Sequence, residues 1–201
     1  KSLVKIILPK RLKEIGFYAF DGCSSLSGSI IIPEGVTRID DWAFANCNFS
    51  GELSLPSTLE HIGLAAFSDC PFSCELKLPE GLKTIGNEAF DGCSNLFGTL
   101  VLPTHIEEIG NSAFYGCDNL SGDLVIPQGI TRINYYSFSG NMGSKHGILV
   151  LHDGIESVGD NAFFRRAFQG ELRLPKNLEF IGDNAFYGCD FSGTLNLPAT
   201  L

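Results

Sequence analysis

Phe recurs along this chain at positions 20, 44, 67, 90, 114, 138, 163 and 186, in steps of 23 to 25 residues. Pro keeps the same period at 9, 33, 56, 79, 103, 127, 175 and 198; His152 stands where one Pro is missing, and Pro71 falls outside the series. A fixed period of this length is the signature of a solenoid, in which each repeat forms one coil and stability comes from stacking on the next. One coil cannot bury its own apolar face, which is why every coil carries the same apolar set.

Aligned on Pro, the unit reads L-x-L-P-x-x-L-x-x-I-G-x-x-A-F-x-x-C, then one or two residues, then Leu or Phe followed by Ser-Gly. The alternation Ile6 and Leu8, Ile30 and Ile32, Leu53 and Leu55, continuing to Leu195 and Leu197, predicts a short strand with one buried face. Pro ends it, because it lacks an amide donor and fixes its own φ. Leu12 and Ile15, Leu59 and Ile62, Leu82 and Ile85 point inward again as the chain turns, and the Gly that follows (16, 63, 86, 110, 159, 182) reads as a backbone corner. The stretch Asn-Glu-Ala-Phe-Asp-Gly-Cys at 87–93 reads as one helical turn capped by Asn or Asp and closed by Gly. The one-residue length variation after Cys marks a surface turn.

The fold expected is an α/β-type repeat solenoid with one parallel β-sheet face on the L-x-L-P strands, and short turns and single helical turns on the other side. Residues 1–201 are expected to form a single domain of about eight repeats, uncapped at both ends as a fragment of a longer array. A net charge of −9, from 14 Lys and Arg against 23 Asp and Glu, excludes the basic face a nucleic-acid binder needs. No run reaches the roughly 18 to 20 apolar residues of a membrane span, and the amino end has neither Met nor the charged-then-apolar order of a signal peptide. The chain therefore reads as a mature or excised segment.

The unit L-P-x-x-L-x-x-I-G-x-x-A-F-x-x-C resembles the BspA-like class of leucine-rich repeats over essentially the whole chain, with Pro after the strand where the general leucine-rich pattern has Asn or Cys. The resemblance implies a right-handed leucine-rich-repeat stack of a secreted or cell-surface protein, with members implicated in adhesion to host proteins or other cells. It implies no catalytic residue and no particular ligand. Departures from the pattern gather at 137–168: Ser137 replaces Ala, Asn141 and Arg166 replace Cys, His152 replaces Pro, and residues 141–147 are polar. Two readings stand for that coil, sequence drift or a locally distinct binding surface.

Six of the seven cysteines (Cys23, Cys47, Cys70, Cys93, Cys117, Cys189) share one repeat position, so their side chains point the same way. Parallel vectors suit neither a disulfide nor tetrahedral zinc, and a small buried apolar residue is the plainer role. Cys74 sits four residues from Cys70, at the Gly position ahead of the strand, where a local bridge is open. His61, His105, His146 and His152 pair with no nucleophile at a telling spacing, and the glycines keep the repeat period where a phosphate loop would cluster them. Paired acids such as Asp40 with Asp41 and Glu107 with Glu108 read as solvated turn residues. No catalytic, cofactor or metal site is expected, and the chain is not read as an enzyme.

The informative positions are those the core does not dictate. Outward residues two before Pro form an apolar row of Ile7, Ile31, Val101, Val125 and Val150, interrupted by Ser54 and Lys77 and ending in Arg173 and Asn196. Four before Pro runs a partly acidic row that includes Glu52, Glu75, Asp123 and Glu171. Together they resemble a protein-binding face, although β-propensity alone also places Val and Ile outward. Aromatics just before Ala-Phe (Phe17, Tyr18, Trp42, Tyr135, Tyr136) offer a second candidate edge, while Lys1, Lys5, Lys10, Arg11 and Lys13 read as solvated charge at the amino end. The function expected is a monomeric, extracellular or cell-surface module that adheres to a host or microbial protein. A structural spacer holding another domain and a carbohydrate-binding surface are the alternatives.

Overall fold

The computed structural model describes residues 5–140 and 147–201. Lys1, Asn141 and His146 lie outside the described residues. Eight coils, numbered here by their Phe from 20 to 186, stack in register. The backbone of each is paired to the next by parallel strands of two or three residues.

The expected single sheet face on the L-x-L-P strands is corrected by the structure. The longest ladder runs instead through the x-I dipeptide ahead of Gly. Glu14–Ile15, Arg38–Ile39, His61–Ile62, Thr84–Ile85 and Glu108–Ile109 pair in one five-stranded sheet, and Arg132–Ile133, Ser157–Val158 and Phe180–Ile181 in a three-stranded one. On the L-x-L side, pairing occurs at Ile30–Ile31 with Leu53–Ser54 and at Leu124–Val125 with Leu149–Val150. Upstream of it, Gly98–Thr99 pairs with Leu120–Ser121 and Gln169–Glu171 with Asp190–Ser192. The physical reason lies in the length variation. The x-I dipeptide lies between Pro and Phe at fixed offsets from both, whereas the L-x-L segment abuts the loop whose length changes, and the pairs just upstream of it, Thr99 with Ser121 and Gly170 with Phe191, are shifted by two residues against the L-x-L repeat.

The expected helical turn is also absent; the described residues contain no helix. In coil 4 the amides of Ala89, Asp91 and Cys93 close three-residue turns onto Gly86, Glu88 and Phe90, while the intervening amides of Glu88, Phe90 and Gly92 bond forward to Asn111, Ala113 and Tyr115 of coil 5 at 2.8 to 2.9 Å. Alternating donors cannot build the uniform i to i−4 ladder of an α-helix. The alternation requires a left-handed residue just before each Ala-Phe or Ser-Phe pair. Tyr18, Trp42, Ala65, Glu88, Ser112, Tyr136, Asn161 and Asn184 all have φ between +50° and +59°. The Asn and Asp expected to cap a helix bond to the next coil instead: Asp41 Oδ1 accepts the Leu64 amide at 2.9 Å, and Asn87 Oδ1 accepts the Asn111 amide at 2.7 Å.

The Gly repeated after the ladder Ile does a different job from the corner expected. Gly86 keeps an ordinary negative-side backbone, but a Cβ there would stand 2.6 Å from the Gly63 carbonyl carbon of the coil beneath. It is a close-approach residue.

The core is one continuous apolar interior that contains Val36, Leu59, Leu82, Ile106, Ile130, Ile155 and Leu178 after Pro, the Ile of each ladder, and Ala-Phe. The Phe rings of successive coils stack at 5.2 to 5.8 Å along all eight coils. Where the loop after Cys is one residue shorter, Phe takes the place of Leu. Phe49 and Phe72 stack at 5.9 Å, meeting Phe44 and Phe67 edge-on and filling the volume Leu26 and Leu96 fill elsewhere.

Candidate functional site

From coil 1 to coil 8 the L-x-L strands bury or half-bury their first and third residues and turn the second outward, as the pleat sets it, whereas Leu195 and Leu197, expected to be buried, are exposed because no described coil covers them. Ile7, Ile31, Val101, Val125 and Val150 are all exposed, from 84% at Ile7 to 39% at Val150. Lys77 breaks the row, and Ser54 is half-buried, which divides the apolar side chains into a pair on coils 1 and 2 and a trio on coils 5 to 7. Ile148, also exposed, extends the trio. Glu52, Glu75 and Asp123 are exposed beside it. Glu75 pairs with Lys77 at 3.7 Å, and Asp123 Oδ1 accepts the Ile148 amide at 2.9 Å.

Three clefts open on this face, between coils 3 and 4, between coils 5 and 6, and beyond coil 8, each at a junction where the L-x-L segments lack a ladder. The cleft between coils 3 and 4 is lined by Glu52, Ser54, Cys74, Glu75 and Lys77 among others. That between coils 5 and 6 has a volume of about 400 Å³ and a floor of Leu100, Leu102, Ile126 and Pro127, with the exposed Val101 and Val125 at its rim. Sequence reasoning found the exposed row but not the clefts, because the L-x-L pattern is the same in coils that pair and coils that do not.

The aromatic edge resolves into separate clusters. Tyr18 stacks on Trp42 at 6.1 Å with rings 7° apart, while Tyr136 meets both Tyr135 and Tyr115 edge-on at 4.3 and 5.4 Å. Phe17, Tyr18 and Tyr135 are exposed, and Trp42 and Tyr136 half-buried. Tyr115 was missed because it follows Phe114, whereas the others precede their Ala-Phe or Ser-Phe pair. A third cluster, Phe164 on Tyr187 at 5.1 Å with the Arg165 guanidinium 5.2 Å from the Phe164 ring centre, shares that offset.

All seven cysteines are free, Cys70 and Cys74 included. The ladder position is more than an apolar filler: the thiols of Cys47, Cys70, Cys93 and Cys117 each donate to the Phe carbonyl of the preceding coil at 3.1 Å. Burial pushes the Cys47, Cys70, Cys117 and Cys189 thiols up to about 12, so they stay protonated and unreactive. Among the described residues no group of three or more His, Cys, Asp or Glu could hold a metal ion.

Asp40 corrects the expectation of a solvated turn acid: it is 7% exposed and takes a hydrogen bond from the Arg38 guanidinium. Burial pushes the half-buried Asp91 carboxyl up to about 6, helped by the charges of Asp69 and Glu88. In the divergent coil, the substitutions are accommodated by backbone bonding. His152 Nδ1 accepts the Gly154 amide, which leaves Nε2 as the donor toward the Pro127 and Ile130 carbonyls at 3.0 and 3.1 Å. Ser137 Oγ donates to the Asn134 carbonyl at 2.8 Å. Arg166 reaches across coil 6 to the Cys117 carbonyl, past Gly140, where a Cβ would meet its guanidinium at 3.2 Å. No helix among the described residues is long and apolar enough to cross a membrane.

No curated protein sequence matches the chain. Among solved structures, it is similar to a leucine-rich cell-surface protein of Faecalibacterium prausnitzii A2-165, at 27% identity and a TM-score of 0.64 over 81% of this chain and 45% of that one. The chain thus spans less than half the length of that relative. A leucine-rich repeat protein of T. pallidum shares the fold at 24% identity and a TM-score of 0.57, covering 92% of this chain and 71% of the other. The model of the BspA-type leucine-rich repeat region, which describes six copies, matches residues 1–121 and again 97–201. The chain belongs to the BspA-type leucine-rich repeat family.

Proposed function

We propose that this chain is a non-catalytic recognition module of a secreted or cell-surface protein, adhering to a host or microbial protein through the L-x-L face. The observation that carries the reading is the trio Val101, Val125 and Val150, exposed on a face that the core does not dictate, with Ile148 beside it. Exposed apolar side chains arranged contiguously and rimmed by charge are what a partner surface covers. The cell-surface relative supports the location, and the continuous core leaves the face free to vary without loss of fold.

The test is the triple variant Ile31→Ser, Val101→Ser, Val125→Ser, compared with the parent chain on an array of secreted and cell-surface proteins. Loss of every parental interaction with unchanged unfolding is the expected result. Retained interactions with full affinity would instead support a spacer that holds another domain clear of a surface. The Tyr18–Trp42 stack carries a second reading, a carbohydrate platform. Trp42→Ala should then weaken glycan-array binding and leave protein binding alone.

A further inference from the structure

At the two junctions where the L-x-L strands pair, the same two amides donate each time. Ile30 and Ile32 bond to the Glu52 and Ser54 carbonyls at 2.9 Å, and Leu124 and Ile126 to Ile148 and Val150 at 2.9 and 3.0 Å. The equivalent bonds between coils 5 and 6, from the Leu100 and Leu102 amides to the Asp123 and Val125 carbonyls, are not formed among the described residues. The coils stay paired just upstream, Gly98 with Leu120 and Thr99 with Ser121, so the missing bonds are confined to the L-x-L residues.

The junction has parted into the cleft of about 400 Å³ described above, and all four residues owed to the missing bonds line it. Two unmatched amides and two unmatched carbonyls over an apolar floor are the requirements of a peptide strand: main-chain bonding gives affinity and alternate side chains give specificity. A lipid tail or a small apolar molecule would leave those polar groups unanswered. The charge of the cleft sets the sign of the guest: Asp123 is its single charged lining residue, in a chain of net charge −9.

We infer that the cleft between coils 5 and 6 receives an extended segment of a partner protein in which apolar residues alternate with Lys or Arg, the apolar side chains seated on Leu100, Leu102 and Ile126 and the cations beside Asp123. The inference rests on the proposed protein-binding role of this face and names the chemistry of the partner. It also gives two of the apolar trio a role: Val101 and Val125 form the two lips. The cleft between coils 3 and 4 sets Glu52, Glu75 and Lys77 beside Leu53 and Leu55, so its wall is charged where that between coils 5 and 6 is apolar.

The experiment uses the full chain and three synthetic, end-blocked octapeptides that alternate Lys with Val, Glu with Val, and Lys with Ser, each titrated while backbone amide shifts and exchange are followed by NMR. The Lys–Val peptide should shift the amides of Leu100, Leu102 and Val125 and slow exchange at Leu100 and Leu102. The other two should bind about tenfold more weakly or less, one charge or one anchor being worth about 1.4 kcal/mol. Val125→Lys, at an exposed lip, should abolish the response without altering the rest of the spectrum. Equal binding of the Glu–Val peptide, shifts confined to other coils, an equal response to a zwitterionic detergent, or self-association of the chain that Val125→Lys removes would each overturn the inference. If the peptides fail while the triple Ser variant still loses its protein partners, the cleft falls and the face stands. Peptide binding in a chain whose partners ignore the triple variant would separate the two the other way.

Discussion

The Ala-Phe side of this solenoid and its L-x-L-P side are made by the same coils yet held together differently. On the Ala-Phe side, from coil 1 to coil 8, the Phe amide reaches the residue before the next Phe at 2.8 to 3.0 Å, and ring follows ring. On the L-x-L-P side two junctions are zipped by backbone through the L-x-L residues, whereas at others, such as that between coils 5 and 6, the pairing stops just upstream and buried Leu and Ile carry the contact. The first side fixes the spacing of the stack; the second is free to part, and clefts form there. Backbone pairing is directional and needs constant register, whereas apolar contact tolerates a slipped register, which is how one repeat supports a rigid spine and a variable face.

That contrast can be broken most forcefully at the spine. Phe90→Ala should destabilise the chain by about 3 to 5 kcal/mol in urea unfolding, whereas Val101→Ser on the opposite side should stay within about 0.5 kcal/mol. Comparable losses at both sites would dissolve the distinction. Next in size is close approach: Gly86→Ala should cost about 1 to 3 kcal/mol, because the new methyl meets backbone of coil 3. Gly16→Ala, with nothing within 4 Å of the added carbon, should be close to neutral.

The thiol ladder gives a smaller, pH-dependent effect. An unfolded thiol ionises near 9 and the buried ones near 12, so the native state holds protons that the unfolded state releases. The thiols' contribution to stability should be constant below pH 9 and fall as pH rises toward 12. Replacing Cys70 and Cys117 together by Ser should flatten the decline in unfolding midpoint, and a disulfide reagent at pH 8 should spare both thiols until the chain unfolds. The smallest effect belongs to Asp91, whose carboxyl is raised to about 6. Its protonated form favours the fold, so its contribution is present below the ordinary value of 3.8 and is lost as pH rises through 6. Asp91→Asn should raise the melting temperature slightly at pH 7 and leave it unchanged at pH 3.

Much of this was legible in the sequence because periodicity reports burial directly. The Phe series, the paired Leu and Ile around Pro, and the outward Ile31, Val101 and Val125 all lie where the pattern puts them. What the pattern hides is which amide bonds to which carbonyl. Asn87 to Cys93 has the composition of a capped helical turn, yet its amides alternate between its own coil and the next, and that choice is made by the neighbour. The parted junction between coils 5 and 6 is hidden for the same reason: whether the Leu100 and Leu102 amides meet the Asp123 and Val125 carbonyls is a relation between two repeats that neither one encodes alone. His152 could have been recognised as structural only by knowing that the Pro127 and Ile130 carbonyls lie within its reach.

The coil-to-coil hydrogen bonds run along the direction in which the coils are stacked, and this gives the molecule a particular response to force. Tension applied between its two ends loads each junction in turn, so the stack should peel from a terminus coil by coil, without shearing as a block. Each event would release one repeat of 23 to 25 residues, roughly 80 Å of extended chain at about 3.4 Å per residue. Under steady load such a chain would lengthen in steps and keep its inner coils folded.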